Sequence, residues 1–215
     1  MTDQSDKLFD PQAFAALQAC FHLGAADASR ALAKWVGKPS VVRMDALQQL
    51  PLEEATTLLQ ASESPVCFCS AELVGFLGGQ MILVFDDSSG LAIADLLLDQ
   101  TLGTTNQWSE LATSAVLETT NILGCAYLNS LSENCRRPGN ASALLPSPPT
   151  FHRDFAESLL QFALLGQAVA SDLALVAQTD FEIDGAPING TMLLIPDASS
   201  MSRLPELLLD DPQPQ

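Results

Sequence analysis

The chain is short of positive charge, of histidine and of long apolar runs, and each shortage removes a class of function. Only 9 Lys and Arg stand against 26 Asp and Glu, a formal net charge of −17. Such a surface repels phosphate backbones, which argues against nucleic acid as a partner and disfavours anionic membrane surfaces. No uninterrupted apolar run approaches the roughly 18 residues that cross a bilayer. The start, "MTDQSDKLFDPQ", is acidic and polar where a secretory leader is basic and then apolar. A cytoplasmic protein is expected. There are only 2 histidines, His22 and His152, and neither has ligand spacing. The 5 cysteines are odd in number and fit no zinc pattern. No metal and no cofactor of its own are therefore expected. In "CFC", Cys67 and Cys69 fall on one side of a strand, like small core hydrophobes.

What the chain does have is core-forming material. At 215 residues and 47% hydrophobic it can bury roughly 70% of its unfolded surface. In residues 12–36, Phe14, Leu17, Phe21, Ala28, Leu32 and Trp35 recur at steps of 3 and 4 or their sums, which predicts one apolar stripe of a long helix. "PSVVRMDALQQL" follows, β-branched at its start, and "LEEATTLLQ" reads as a short helix. "PVCFCSAELVGF" and "GGQMILVF" read as strands. "SSGLAIADLLLDQ" reads as a short helix behind a serine cap. Residues 107–135 form a second long helix with Ser109 as N-cap. "RRPGN" and "LLPSPPT" read as loops. "FHRDFAESLLQFALL" reads as a short helix or as a helix running into a strand. "QAVASDLALVAQTDFEID" and "NGTMLLIPD" read as strands, and "SSMSRLPELLL" as a short helix interrupted or started by Pro205.

This order contains a repeat. "GQMILVFDDSSGLAIADLLL" from Gly79 and "GTMLLIPDASSMSRLPELLL" from Gly190 share glycine, strand, aspartate, Ser-Ser and a leucine-rich helix. Placing His22 over Asn121 also lays the apolar stripe of the first long helix on that of the second. The expected fold is α+β. Two α/β halves related by a pseudo-two-fold axis form a central, mostly antiparallel sheet, with the two long helices packed on it. The expected boundaries are a flexible 1–11, one domain over 12–209 with repeats at about 12–100 and 107–209, and a disordered 210–215.

The chemistry concentrates on the second long helix. At 100° per residue, Ser114, Glu118, Asn121 and Cys125 fall within about 60° of one another, a narrow polar strip. Val116, Leu123, Tyr127, Leu128 and Leu131 make the core stripe, while Leu111, Ala115, Ile122 and Ala126 flank the strip on its other side. A Glu and an Asn on a helix are ordinarily just a solvated face. A solvated face is seldom bordered by apolar residues on both sides, and asparagine is a poor helix former. Such a helix is either sandwiched between layers or presents a docking surface.

"SAVLETTNILGCAYLNSL" resembles the signature of the CheC/CheX/FliY family of chemotaxis phosphatases. That signature is Ser or Asp, three residues, Glu, two residues, Asn, and a later proline. Ser114, Glu118, Asn121 and Pro146 occupy those places. "GGQMILVFDDSSGLAIADLLLD" resembles the family's strand–helix segment. "FHLGAADASRALAKWVGKPSVVRM" resembles its other motif helix, usually E-x-x-N-I-G-A-G-x-A. There the chain departs from the pattern, with Ala19 in the place of the glutamate and His22 in the place of the asparagine. The resemblance implies one active centre, on residues 114–121, and a first-repeat site that has lost its chemistry.

The resemblance further implies hydrolysis of the aspartyl phosphate of a CheY-type receiver, which supplies its own Mg2+ and a lysine. Asn121 would orient the attacking water and Glu118 would pair with the receiver lysine. Leu111, Ile122 and Cys125 would contact the partner, and Ser114 would contact it or orient Glu118. A CheD-like protein is left open as a second partner, and either a monomer or a homodimer fits. The competing expectations are a non-catalytic module that binds a receiver or a flagellar switch protein, and a purely structural oligomer subunit.

Overall fold

Residues Pro11–Val36 form α1, the helix that the recurrence of apolar residues dictates. The computed structural model describes residues 11–51, 54, 65–134, 143–155, 158, 173–184 and 186–208. The expected termini, the helix over 52–60, the "RRPGN" loop and Cys135 lie wholly or almost wholly outside them. Leu17, Phe21, Ala28 and Leu32 are buried and Phe14 is half-buried. Trp35, expected on the same stripe, is 51% exposed. Periodicity gives a side chain's direction but not how far the opposing layer reaches, and α1 ends one residue beyond Trp35.

The strands are β1 (Ser40–Pro51), β2 (Val66–Val74), β3 (Gly79–Asp86), β4 (Leu145–Pro146), β5 (Thr150–Asp154), β6 (Leu173–Ile183) and β7 (Ala186–Pro196). They form one sheet in the order β1-β6-β7-β3-β2-β4, with β5 also on β2. Every pairing among the described strands is antiparallel. Exchanging β1 with β5, β2 with β6 and β3 with β7 reverses the order of those six strands and leaves it unchanged, as an internal two-fold through the β3–β7 pair requires.

Short helices follow the two central strands, α2 (Asp87–Leu97) and later α4 (Ala198–Leu208), and between them runs the second long helix, α3 (Glu110–Asn134). The cap of α2 is an aspartate, where a serine was expected. Asp86 accepts from the Ser89 N–H at 2.7 Å and from the hydroxyls of Ser88 and Ser89. Its counterpart Asp197 accepts from the Ser200 N–H at 2.7 Å and the Ser199 hydroxyl at 2.8 Å. A carboxylate accepts several donors at once and carries the negative charge a helix N-terminus favours. The Asp-x-Ser-Ser repeat is therefore a repeat of the cap itself. Pro205 lies inside α4. At the start of α3, the Ala112 N–H donates to the Ser109 hydroxyl at 3.2 Å, as its N-cap reading predicts.

Two expectations fail between α3 and β6. Residues 151–154 belong to strand β5, where helix was expected. Phe151 stacks on Trp108 with ring centroids 4.8 Å apart, His152 lies over Phe68, and the Arg153 guanidinium grips Asp87 through two hydrogen bonds. Alternate side chains thus have partners on opposite faces, which a helix could not give them. Within "LLPSPPT", Leu145 and Pro146 pair with β2, at a sheet edge where a proline withholds no needed N–H.

The core lies between the sheet and the layer of α1 and α3. Cys67 and Cys69 are fully buried free thiols, the core role expected of them. The two long helices run antiparallel in direct contact. The Ser130 hydroxyl donates to the Cys20 carbonyl at 2.8 Å, and Tyr127 lies against Phe21. A Cβ on Gly24 would stand 2.7 Å from the Tyr127 ring and 3.1 Å from its Cα, so glycine lets the helices meet there.

The loop leading into α3 is tied down by a buried carboxylate. Asp95 of α2 accepts the backbone N–H groups of Gly103, Thr104 and Thr105 at 2.7, 3.1 and 2.9 Å. Burial pushes its pKa upward, but the donors of Thr105, Gly103 and Thr104 outweigh it and hold the carboxyl below the usual range. Asp95→Asn keeps the shape but presents an NH2 to three donors. A loss of about 2–4 kcal/mol is expected in chemical denaturation at pH 7. A carboxyl depressed by folding stabilises fully above its unfolded value and progressively less as pH falls through its folded one. The gap between wild type and Asp95→Asn should therefore close below about pH 4. A gap unchanged at pH 3 would contradict an ionised Asp95.

Candidate functional site

Helix α3 rests on the sheet through Val116, Leu123, Tyr127, Leu128 and Leu131, all at most 5% exposed. That is the stripe read from the sequence. Gly124 permits the close seat, since a Cβ there would meet the Met81 side chain at 2.3 Å and come within 3.8 Å of the Pro146 ring. Thr119 and Thr120 are buried polar residues on α3, and each hydroxyl returns to the carbonyl one turn back at 2.9 Å. With this face packed, the side of α3 that carries the polar strip is turned outward.

Ser114 is exposed, and Glu118, Asn121 and Cys125 are half-buried. The three half-buried residues follow at steps of three and four, so they share one face. Among the described residues none forms an ion pair with the Glu118 carboxylate. The Cys125 thiol lies 3.9 Å from Asn121 Oδ1, in position to donate weakly to it. Burial, and then the charge of Glu118, push the Cys125 thiol above its ordinary value, so it is held as the neutral thiol at physiological pH.

The flank has an uneven fate. Leu111 is 60% exposed, Ala115 and Ile122 are half-buried, and Ala126 is buried at 7%. Ala126 lies nearer the packed face than its expected place on the rim. The remaining rim keeps a large apolar side chain in water beside a carboxylate and a carboxamide, as a surface that seats a partner does.

The corresponding face of α1 is similarly open. Ala15, Ala19, His22, Leu23 and Ala26 are exposed, Leu23 at 51%. The positions of α1 that overlay Glu118 and Asn121, Ala19 and His22, are therefore accessible. Among the described residues, no helix is long and apolar enough to cross a membrane.

No protein-family model matches the chain, and no characterised protein matches it by sequence. Solved structures do match its fold. Thermotoga maritima FliY is similar with a TM-score of 0.75 at 19% identity, over 94% of this chain and 98% of that one. The FliM middle domain of H. pylori is similar with a TM-score of 0.65 at 12% identity, over 92% and 98% of the two chains. A chain of an H. pylori FliG–FliM complex gives a TM-score of 0.66 at 11% identity, over 90% and 98%. The α+β fold implied by the sequence resemblance is the fold found.

The proximity of Glu118 to Cys125 has a chemical signature. In a Cys135→Ser background, alkylation of Cys125 by iodoacetamide should be slow near pH 8, because burial and Glu118 both disfavour the thiolate. Glu118→Gln removes the like charge and should lower the thiol pKa, raising the rate by roughly two- to fivefold. Mass spectrometry of the Cys125 peptide gives the rate. An unchanged or slower rate in Glu118→Gln would mean that the two groups do not sense each other.

Proposed function

We propose that the chain is a phosphatase for the aspartyl phosphate of a CheY-type response-regulator receiver. One observation carries the reading. Glu118 and Asn121 lie one turn apart on the outward strip of α3, half-exposed, the carboxylate without an ion-pair partner among the described residues and with apolar Leu111 on the same rim. The likeness of fold to FliY supports it.

An acyl phosphate is already activated, so the chain needs neither a nucleophile nor a strong base. The attacking water forms the new P–O bond, the bond to the aspartyl oxygen breaks, and the carboxylate leaves as inorganic phosphate is released. Asn121 hydrogen-bonds the water and holds it in line with the departing oxygen. Glu118 pairs with the receiver's lysine and sets how deeply α3 enters the receiver's site. Ser114, Ile122, Leu111 and Cys125 form the surrounding contact surface. The Mg2+ belongs to the receiver, where it neutralises phosphoryl charge.

A second reading is a docking module that engages a flagellar switch protein without hydrolysis. Its support is the likeness to the FliM middle domain of H. pylori and to a chain of a FliG–FliM complex from the same organism.

Asn121→Ala should lose roughly a hundredfold in single-turnover dephosphorylation, about 3 kcal/mol of barrier. Its affinity for beryllofluoride-loaded receiver should stay near normal, because the lost contact acts chiefly in the transition state. Glu118→Ala should lose both affinity and rate, whereas His22→Ala should retain both. Loss of affinity in proportion to rate for Asn121→Ala would make it a contact residue in a binding module. Equal loss in His22→Ala would mean that the first-repeat helix acts too. Wild-type binding with no dephosphorylation would favour the docking module.

A further inference from the structure

We infer that Arg30 and Lys34 of α1 form a cationic docking element for the phosphorylated, anionic face of the partner, an inference that rests on the reading above. The starting point is charge. The chain carries a net −17, so long-range repulsion opposes the approach of any anionic partner. Yet α1, over its whole length of 26 residues, holds a single acid, Asp27. Arg30 is exposed and pairs with Asp27 along the helix. Lys34, also exposed, has no acidic partner among the described residues.

The crossing of the long helices decides where these cations stand. Cys20 meets Ser130, and Gly24 meets Tyr127. Numbers rise along α1 as they fall along α3, so residues 29–34 run alongside 121–116. Arg30 and Lys34 are thereby level with Asn121 and Glu118 along the neighbouring helix, the two helix axes lying about 8–10 Å apart. On the helical wheel both fall within about 60° of Ala19, the exposed counterpart of Glu118 in the first repeat. They lie on the same outward layer as the candidate site. There the two cations balance Asp27 and Glu118, so this face is locally near neutral on a strongly acidic molecule. An anionic partner meets less repulsion here than the net charge alone would give. The Lys34 ammonium, without an acidic partner among the described residues, can meet phosphoryl or carboxylate oxygens around the partner's phosphorylated aspartate.

The first repeat thus contributes to the second repeat's site through the charge at the end of α1, although its own Ala19 and His22 carry no catalytic pair. Arg43 and Arg203 provide the internal control. Both are exposed. Arg43 alternates with the buried Val42 and Met44 of β1 and so points away from the helices, and Arg203 lies on α4.

The experiment is stopped-flow association of a beryllofluoride-loaded receiver at about 0.02 and 0.3 M salt, conditions of weak and strong screening. The double variant Arg30→Gln/Lys34→Gln should associate about tenfold more slowly than wild type at low salt and merge with it at high salt. Its single-turnover rate once bound should be unchanged. Arg43→Gln/Arg203→Gln, with the same change of net charge, should remain within about twofold of wild type at both salts. Equal slowing by both double variants, or slowing by neither, overturns the proposal. If wild type binds the loaded receiver without hydrolysing the aspartyl phosphate, the catalytic reading falls while the association rates still decide the cations. If wild type does not bind the loaded receiver, both fall.

Discussion

Neither half of this molecule can complete its own sheet. β1, which follows the first long helix, pairs with β6 of the second repeat, and β5, which follows the second long helix, pairs with β2 of the first. With the β3–β7 pairing at the centre, this exchange of outer strands makes two supersecondary units into one cooperative body. The helices inherit the arrangement. Because α1 passes into its outer strand β1 within a few residues, between Val36 and Ser40, pairing of β1 with the second repeat helps set α1 beside α3. Gly24 then lets them approach closely enough for Tyr127 to fill the crossing.

One consequence is that two equivalent helix faces look outward from a common layer. Packing needs only the inward stripe, with Leu17, Phe21, Ala28 and Leu32 on one helix and Val116, Leu123, Tyr127 and Leu131 on the other. The outward face is under no such demand. It therefore tolerates Ala19 and His22 in the first repeat and carries Glu118 and Asn121 in the second without cost to the fold. The two repeats share the aspartate caps at Asp86 and Asp197, while their outward helix faces differ.

Local anchoring is where the symmetry is broken. Asp87 accepts from Trp108 and from Arg153, and the guanidinium bond is the chief reason its carboxyl lies below the usual range. Together with Asp95 beneath the 103–105 loop, this fixes the start of α3 against α2 and β5. The corresponding position after Asp197 is Ala198, which offers no such acceptor. The helix with the candidate chemistry is thus entered through a segment held by two carboxylates.

Much of this was legible in the chain itself, because apolar periodicity and repeated caps are local signals. The two long helices, the central strands, the glycine–strand–aspartate–Ser-Ser repeat and the polar strip of Ser114, Glu118, Asn121 and Cys125 could all be read from spacing. So could the core role of Cys67 and Cys69. Other features depend on partners far away in sequence. Phe151 and Arg153 become strand residues because Trp108 and Asp87 receive them, against a pattern that reads equally well as helix. Trp35 continues a stripe by direction yet stands 51% exposed. Ala126 reads as rim and is buried. The sequence by itself determined which elements form and which faces carry polar groups, since both follow from interactions a few residues apart. Only the tertiary structure decided which outer strand completes which half, which faces meet water, and that the two long helices meet antiparallel at Gly24 and Tyr127. Those outcomes depend on contacts between groups about a hundred residues apart, which no local period encodes.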